Sequence, residues 1–382
     1  MKENDQYGYV FEVDLHYPQE LHEIHNSFPL APETMKITEK MLSPHSLQNY
    51  KDIYKKNKYN ATKLCTTFLD RKNYVVHYMN LKTYLNLGMK LIKIHRILKF
   101  KQNKFLKKYI IQCTDLRKES KSIFEKNLWK LFSNAVFGKM IEDIRKYTTV
   151  TFCKNQYKTQ KEISKTNYDT FKIISKDIVA VFKKLPVLKL NKPLQIGFTI
   201  LERSKDFMYL TYYNNILPSL NNYHVTLLMT DTDSLMLKLV AKKKKVDEDE
   251  DEQEQEQESI INNLNKIMDF SNYPKDNQNY NISNENKLGF WKDELKSEKM
   301  IEFVGLRSKS YSYKLKNQDI QTKCKGIKKP YKKLIKFDHF KKCIQEVLKI
   351  NVDQVQIRSV NHIIQTQKKK KIALSSFDDK RF

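Results

Sequence analysis

His224-Val-Thr-Leu-Leu-Met-Thr230-Asp231-Thr232-Asp233-Ser234-Leu-Met-Leu-Lys-Leu-Val240 is the stretch on which the reading of this chain turns. Two apolar runs, 224–229 and 235–240, flank Thr230-Asp231-Thr232-Asp233-Ser234, a pattern that predicts an antiparallel hairpin with acids at its tip. Carboxylates two residues apart in a tight hairpin converge on divalent cations, as phosphoryl transfer requires. Taken alone, D-x-D is more often an Asx-rich surface turn. The apolar strands on both sides supply a rigid mount that a surface turn does not require.

Working outward, residues 118–139 show helical apolar spacing at Ile123, Phe124, Leu128, Leu131, Phe132 and Val136. Within that helix Lys130, Asn134 and Phe137 recur at spacings of four and three, so they project from one face, with Gly138 beside them. A cation, an amide and an aromatic ring on one face suit a triphosphate, a base and a sugar. The plainer reading is an amphipathic helix with a solvated lysine and a core phenylalanine. A second helix is predicted over 194–217, stopped at Pro218. Residues 8–18 and 73–80 read as strands, and 81–87 as a short helix ended by Gly88.

Past the hairpin, residues 242–258 form a charge block without apolar content, expected to be a solvated, disordered insertion. Farther on, Lys309 and Tyr311 stand at i and i+2, which predicts a shared strand face suited to a phosphate and to a sugar or base. An edge strand with a solvated lysine is the alternative. Lys323 and Lys325 lie in a basic turn around Gly326.

Composition bounds these readings. The 382 residues suffice for two or three domains, and 40% hydrophobic content supports packed cores. Lys+Arg 71 against Asp+Glu 44 leaves a net charge of +27, which favours a polyanionic partner, although lysine-rich composition also accompanies AT-rich coding sequence. Five single cysteines with no C-x-x-C pair imply neither a disulfide framework nor a zinc ribbon. Only 7 glycines leave no Gly-rich phosphate loop, which removes Walker-type ATPases and dinucleotide-binding folds. No apolar signal stretch or membrane-length apolar window occurs, so a soluble, intracellular protein with no membrane partner is expected, its compartment open. The run Lys368–Lys371 is a candidate import signal of a common type.

Together these motifs resemble those of B-family DNA polymerases of the protein-primed viral, organellar and mobile-element kind. Residues 130–139 resemble motif B, K-x-x-x-N-S-x-Y-G, and 230–234 resemble motif C, Y-x-D-T-D-S, with Ala135, Phe137 and Met229 as departures. Residues 287–292 and 306–313 are similar to the stretch leading into the family's K-x-Y motif. The resemblance implies an α+β fold. Its parts would be an antiparallel palm bearing Asp231 and Asp233, a helical fingers hairpin, and a small thumb-like C-terminal part. It implies template-directed DNA polymerisation with two Mg²⁺ or Mn²⁺ ions, on primer-template DNA and deoxynucleoside triphosphates; a terminal priming protein is a further partner it allows. Asp231 and Asp233 would be catalytic metal ligands, and Lys130, Asn134, Phe137 and Gly138 would bind the nucleotide. Lys309, Tyr311, Lys323 and Lys325 would contact DNA. Lys130 is expected to face the acidic tip across one cleft.

By the same resemblance the palm would comprise 1–95, 151–241 and 259–330, the fingers 96–150, and a partial thumb 331–382. The family also needs motif A, D-x-x-(S/N)-L-Y-(P/G), whose Asp is another metal ligand. One alignment places Glu12 there, with Asp14 nearby, next to Tyr17-Pro18. The preferred alignment makes residues 8–33 the strand and loop that follow motif A, which with an exonuclease domain would then precede Met1; Asp378-Asp379-Lys-Arg-Phe would likewise be an internal segment cut short. On that basis this chain alone is expected to extend primers poorly. A catalytically impaired DNA-binding remnant is the rival reading, and a D-x-D glycosyltransferase is the remote one.

Overall fold

The computed structural model describes residues 6–55, 59–242, 259–285, 287–360 and 363–377. Of the charge block expected over 242–258, residues 243–258 lie outside the described residues, as do 378–382 of the tail. The architecture is mixed α/β, with several small sheets, and the chain divides into two compact units. The first comprises Met1–Asn103, Glu202–Val352 and Lys370–Phe382, and the second Lys104–Leu201 and Asp353–Lys369. The division falls within the 151–241 stretch, at Leu201.

In the first unit, β1 (Tyr7–His16) is the centre of a sheet, flanked antiparallel by β4 (Arg71–His77) and β5 (Lys90–Lys101). Phe11, Val13 and Leu15 alternate inward along β1, the period-two pattern of a half-buried strand. They join Val76, Leu81 and Tyr84 in the first core, where α2 (Tyr78–Asn86) packs. Helix α2 ends before Gly88, whose φ of +102° is open to glycine alone without strain; an added Cβ would also lie 2.9 Å from Leu21. Arg71 is buried at 1% exposure because three carbonyls, of Ala31, Thr67 and Leu69, accept its guanidinium protons.

A smaller ribbon of β2 (Glu33–Thr38) and β3 (Asn60–Cys65) joins α1 (Pro44–Tyr54) in a core of Ile37, Tyr50, Tyr59 and Phe377. A further core holds Leu306, Cys324, Phe340 and Leu374.

The helix expected over 194–217 is interrupted. Residues Leu194–Leu210 form an α-helix, Thr211–Ile216 a π-helical turn, and Leu217–Ser219 a last α-turn containing Pro218. The wider turn lets the neighbours Tyr212 and Tyr213 both bury with Tyr209, which regular helical spacing opposes.

The second unit holds α3 (Lys107–Glu119) and α4 (Ile123–Met140), in place of the single helix expected over 118–139. The break at 120–122 is set by a capping box. Ser122 Oγ accepts from Glu125 N at 3.1 Å, while Ser122 N donates to the Glu125 carboxylate at 3.3 Å. Three strands, β6 (Thr148–Cys153), β7 (Tyr168–Ser175) and β8 (Ile178–Lys184), form an antiparallel sheet in the order β6-β8-β7, with α5 (Gln156–Ile163) against it. Among the described residues no helix is long and apolar enough to cross a membrane.

Candidate functional site

The acidic hairpin forms as the apolar pattern requires: β9 (Tyr223–Thr230) pairs antiparallel with β10 (Leu235–Ala241). Leu227 anchors it in the first core, and Val225, Leu235 and Leu237 pack around that core. The four-residue tip, 231–234, is closed by its own backbone. Asp233 N donates to Asp231 O at 2.8 Å, Asp231 N to Ser234 O at 3.2 Å, and Ser234 Oγ to Asp231 O at 3.1 Å. Thr232 pays for the sharp reversal with a φ of +63°, a left-handed conformation unusual for a β-branched residue. Both carboxylates are thus held at one rigid tip, Asp233 exposed and Asp231 half-buried.

A second hairpin reaches this tip. After the short parallel pair β11 (Met268–Asp269) and β12 (Trp291–Lys292), strands β13 (Met300–Arg307), β14 (Ser310–Leu315) and β15 (Ile320–Cys324) form an antiparallel sheet in that order. Lys309 was expected on a strand face with Tyr311. It lies instead in the two-residue turn between the paired Arg307 and Ser310, with a φ of +60°. A turn leaves its side chain free of the sheet's alternation, and Lys309 Nζ stands 2.9 Å from Asp231 Oδ1. Lys325 N ties the turn from behind by donating to Lys309 O at 3.0 Å. Tyr311 is on β14 itself. Burial first, and then the Asp231 charge, pushes its phenol above the usual range, so it remains a proton donor. Lys323, on β15, is paired directly opposite Tyr311, and both Lys323 and Lys325 are exposed.

Sequence reasoning passed over Tyr313 and Phe303. Tyr313 stacks on Tyr311 with ring centroids 6.3 Å apart at 14°, and Phe303 lies 5.9 Å from Tyr311. The signal was present as aromatic alternation at 311 and 313.

Lys130, Asn134, Phe137 and Gly138 are on α4 of the second unit. Lys130, Asn134 and Gly138 are exposed and Phe137 half-buried; a Cβ added at Gly138 would meet nothing within 4 Å.

Glu12 and Asp14 project from the outer face of β1 and are engaged there. Asp14 accepts from Asn73 N at 2.8 Å and lies 2.8 Å from His95 Nε2; those two neighbours, in that order, hold its carboxyl below the usual range. Glu12 accepts from Asn73 Nδ2 at 2.9 Å and lies 3.2 Å from Arg96 Nε. Among the described residues no group of three or more His, Cys, Asp or Glu side chains is placed to hold a metal ion. Asp231, with Lys309 already against it, and Asp233 belong to no such group.

No family model and no curated protein matches this sequence. Two solved structures of Phi29 DNA polymerase resemble it. One is complexed with primer-template DNA in a post-translocation binary complex (15% identity), and the other with primer-template DNA and incoming nucleotide substrates in a ternary complex (13% identity). Each has a TM-score of 0.45 and covers 97% of this chain, while the chain spans 58% of the polymerase's length. Function therefore has to be argued from the side chains of the site.

Proposed function

We propose that this chain is the DNA-handling core of a B-family, protein-primed type of DNA polymerase. The observation that carries this is the 2.9 Å contact between Lys309 and Asp231. It joins the two sequence segments that separately resemble motif C and K-x-Y, which supports reading Lys309 as a phosphate-binding cation beside Asp231 and Asp233. A primer strand seated there would have its terminal phosphates on Lys309 and a sugar or base against Tyr311. Such strand positioning is the protein's main contribution to nucleotidyl transfer. Divalent cations, when bound, supply the charge stabilisation of that chemistry. Lys130, Asn134 and Phe137 of α4 are proposed for the incoming nucleotide.

A specific observation also favours the rival reading of a DNA-binding chain with weak catalysis of its own. Among the described residues two carboxylates stand at the tip without a third ligand. The two readings separate in one experiment: primer extension by the purified chain with Mg²⁺ and with Mn²⁺, beside primer-template binding over a salt series. Expected are tight, strongly salt-dependent binding and template-directed incorporation that is slow in the parent and lost in Asp233→Asn, with binding retained in that variant. Lys309→Gln should flatten the salt slope by about 0.7–0.9, the equivalent of one phosphate contact. Binding without any templated incorporation would favour the rival reading. Absence of DNA binding would overturn both.

A further inference from the structure

We infer that the outer face of the β13-β14-β15 sheet is a stacking platform for an unpaired DNA strand running away from the acidic tip. The inference rests on the DNA-binding reading above and extends it to Tyr313, Phe303 and Lys323.

The sheet has two unlike faces. On the inner face Ser310, Ser312 and Cys324 are buried, and Leu306 and Cys324 belong to the core. Cross-strand register puts Phe303, Tyr313 and Gln321 in one row of the outer face and Gly305, Tyr311 and Lys323 in the next. An outer face needs no aromatic residues for folding, yet this one carries three, all half-buried. Gly305 shows what the arrangement requires. A Cβ there would lie 2.9 Å from Phe303 Cε1 and Cζ, so the absent side chain lets the Phe303 ring lie over the neighbouring row. Neither the Tyr311 nor the Tyr313 hydroxyl hydrogen-bonds to another described residue.

The occupant follows from charge and spacing. Lys323 and Lys325 are exposed beside the rings, Lys309 stands at the end nearest Asp231, and the chain carries a net +27. Flat rings with three lysines beside them, against the two carboxylates of Asp231 and Glu294 that act on Tyr311 and Tyr313, fit a strand whose bases stack while its phosphates meet cations. The 6.3 Å between the tyrosine rings exceeds the roughly 3.4 Å step of stacked duplex bases. Each ring would therefore take its own base of a stretched single strand.

The test is fluorescence anisotropy with a labelled 12-nucleotide single-stranded DNA across a salt series, using the full chain. Tyr313→Ala should weaken binding roughly ten-fold at every salt concentration with the slope unchanged. Tyr313→Phe should bind like the parent. Lys323→Gln should lower the slope by about 0.7. Photocrosslinking of 5-iodouracil-substituted DNA to the unmutated chain tests the same point without depending on a variant's folding, and adducts at Tyr311, Tyr313 or Phe303 are expected. If the parent binds DNA but Tyr313→Ala stays within two-fold of it, or crosslinks fall elsewhere, the platform is wrong and the proposed function stands. If the parent binds no DNA, both fall.

Discussion

The two units treat their apolar side chains in opposite ways. In the first, tyrosines at 74, 84, 209, 212 and 213 are buried together with Phe11, Val13 and Leu15, and Arg71 and His77 are sealed in, Arg71 donating to the distant Ala31 O and the His77 backbone N to Glu202. In the second, α4 buries no residue, and Ile123, Phe124 and Leu131 are 80%, 75% and 60% exposed. Only Cys113, Cys153, Ala180 and Val181 are buried apolar residues among the described part of 104–201. One unit is therefore shaped by long-range burial and the other by local hydrogen bonding and capping. The acidic tip is positioned by the first kind of force, and the helix bearing Lys130 by the second.

The chain's two tryptophans make this comparison measurable, because Trp291 belongs to the first unit and Trp129 to the second. Single-tryptophan variants, Trp129→Phe and Trp291→Phe, report each unit separately during urea denaturation, which matters because a two-unit chain need not unfold in one step. The largest effect is expected from Arg71→Ala. It removes the donor of the buried Ala31 carbonyl and of the part-buried Thr67 and Leu69 carbonyls, and should lower the first unit's stability by about 3–5 kcal/mol. Phe132→Ala, on an exposed ring of α4, should shift the Trp129 signal by less than about 1 kcal/mol. Equal effects would erase the contrast between the units.

Acid should divide the units next. Burial holds both His25 and His77 down to about 4, well below the ordinary histidine value of 6.5. His25 stays neutral with Nδ1 accepting the Tyr17 hydroxyl proton, and His77 Nδ1 accepts from Met79 N. A depressed folded value means that the unfolded chain binds more protons between pH 6.5 and 4. The stability these neutral rings contribute is present above about 6.5 and lost as pH falls towards 4. At pH 5 the loss should be about 2 kcal/mol per histidine, read at Trp291. In the second unit Glu142 is held near 2 by Tyr147 and Lys192, and Glu162 near 2 by Lys165 and Lys183. Those carboxylates remain ionised across the same range, so the Trp129 transition should be flat from pH 7 to 5. A Trp129 signal that moves with Trp291 would mean that the units unfold together.

A smaller effect sharpens the local side of the contrast. Ser122→Ala removes the cap of α4 and should cost about 1 kcal/mol in the second unit and nothing in the first. The smallest expected effect is at the acidic tip, where Thr232→Gly relieves the left-handed conformation. It should raise the first unit's stability by about 0.5–1 kcal/mol; a loss would show that the Thr232 hydroxyl contact to Asp231, at 3.3 Å, outweighs the strain.

Much of the acidic hairpin could be read directly because its information is local. Apolar runs on either side of five polar residues define the two strands and the turn within eighteen residues or so. The alternation of Phe11, Val13 and Leu15 in β1 and the glycine stop of α2 at Gly88 were legible for the same reason. The break between α3 and α4 was also written locally, in Ser122-x-x-Glu125, but the apolar spacing that runs through it masked the cap. The π-turn at Thr211–Ile216 was not legible, because it exists to satisfy the core that Tyr209, Tyr212 and Tyr213 enter, and no neighbour in sequence demands it. Lys309 shows the same division within the site. Sequence alone established a lysine two residues before a tyrosine and a pair of acids far upstream. Only the packing of one hairpin against another decided that Lys309 would sit in a turn, turn its cation to Asp231, and leave Tyr311 and Tyr313 stacked beside it. Local spacing determines which way a side chain leaves its own backbone, whereas the partner it meets depends on how cores elsewhere bury their surface.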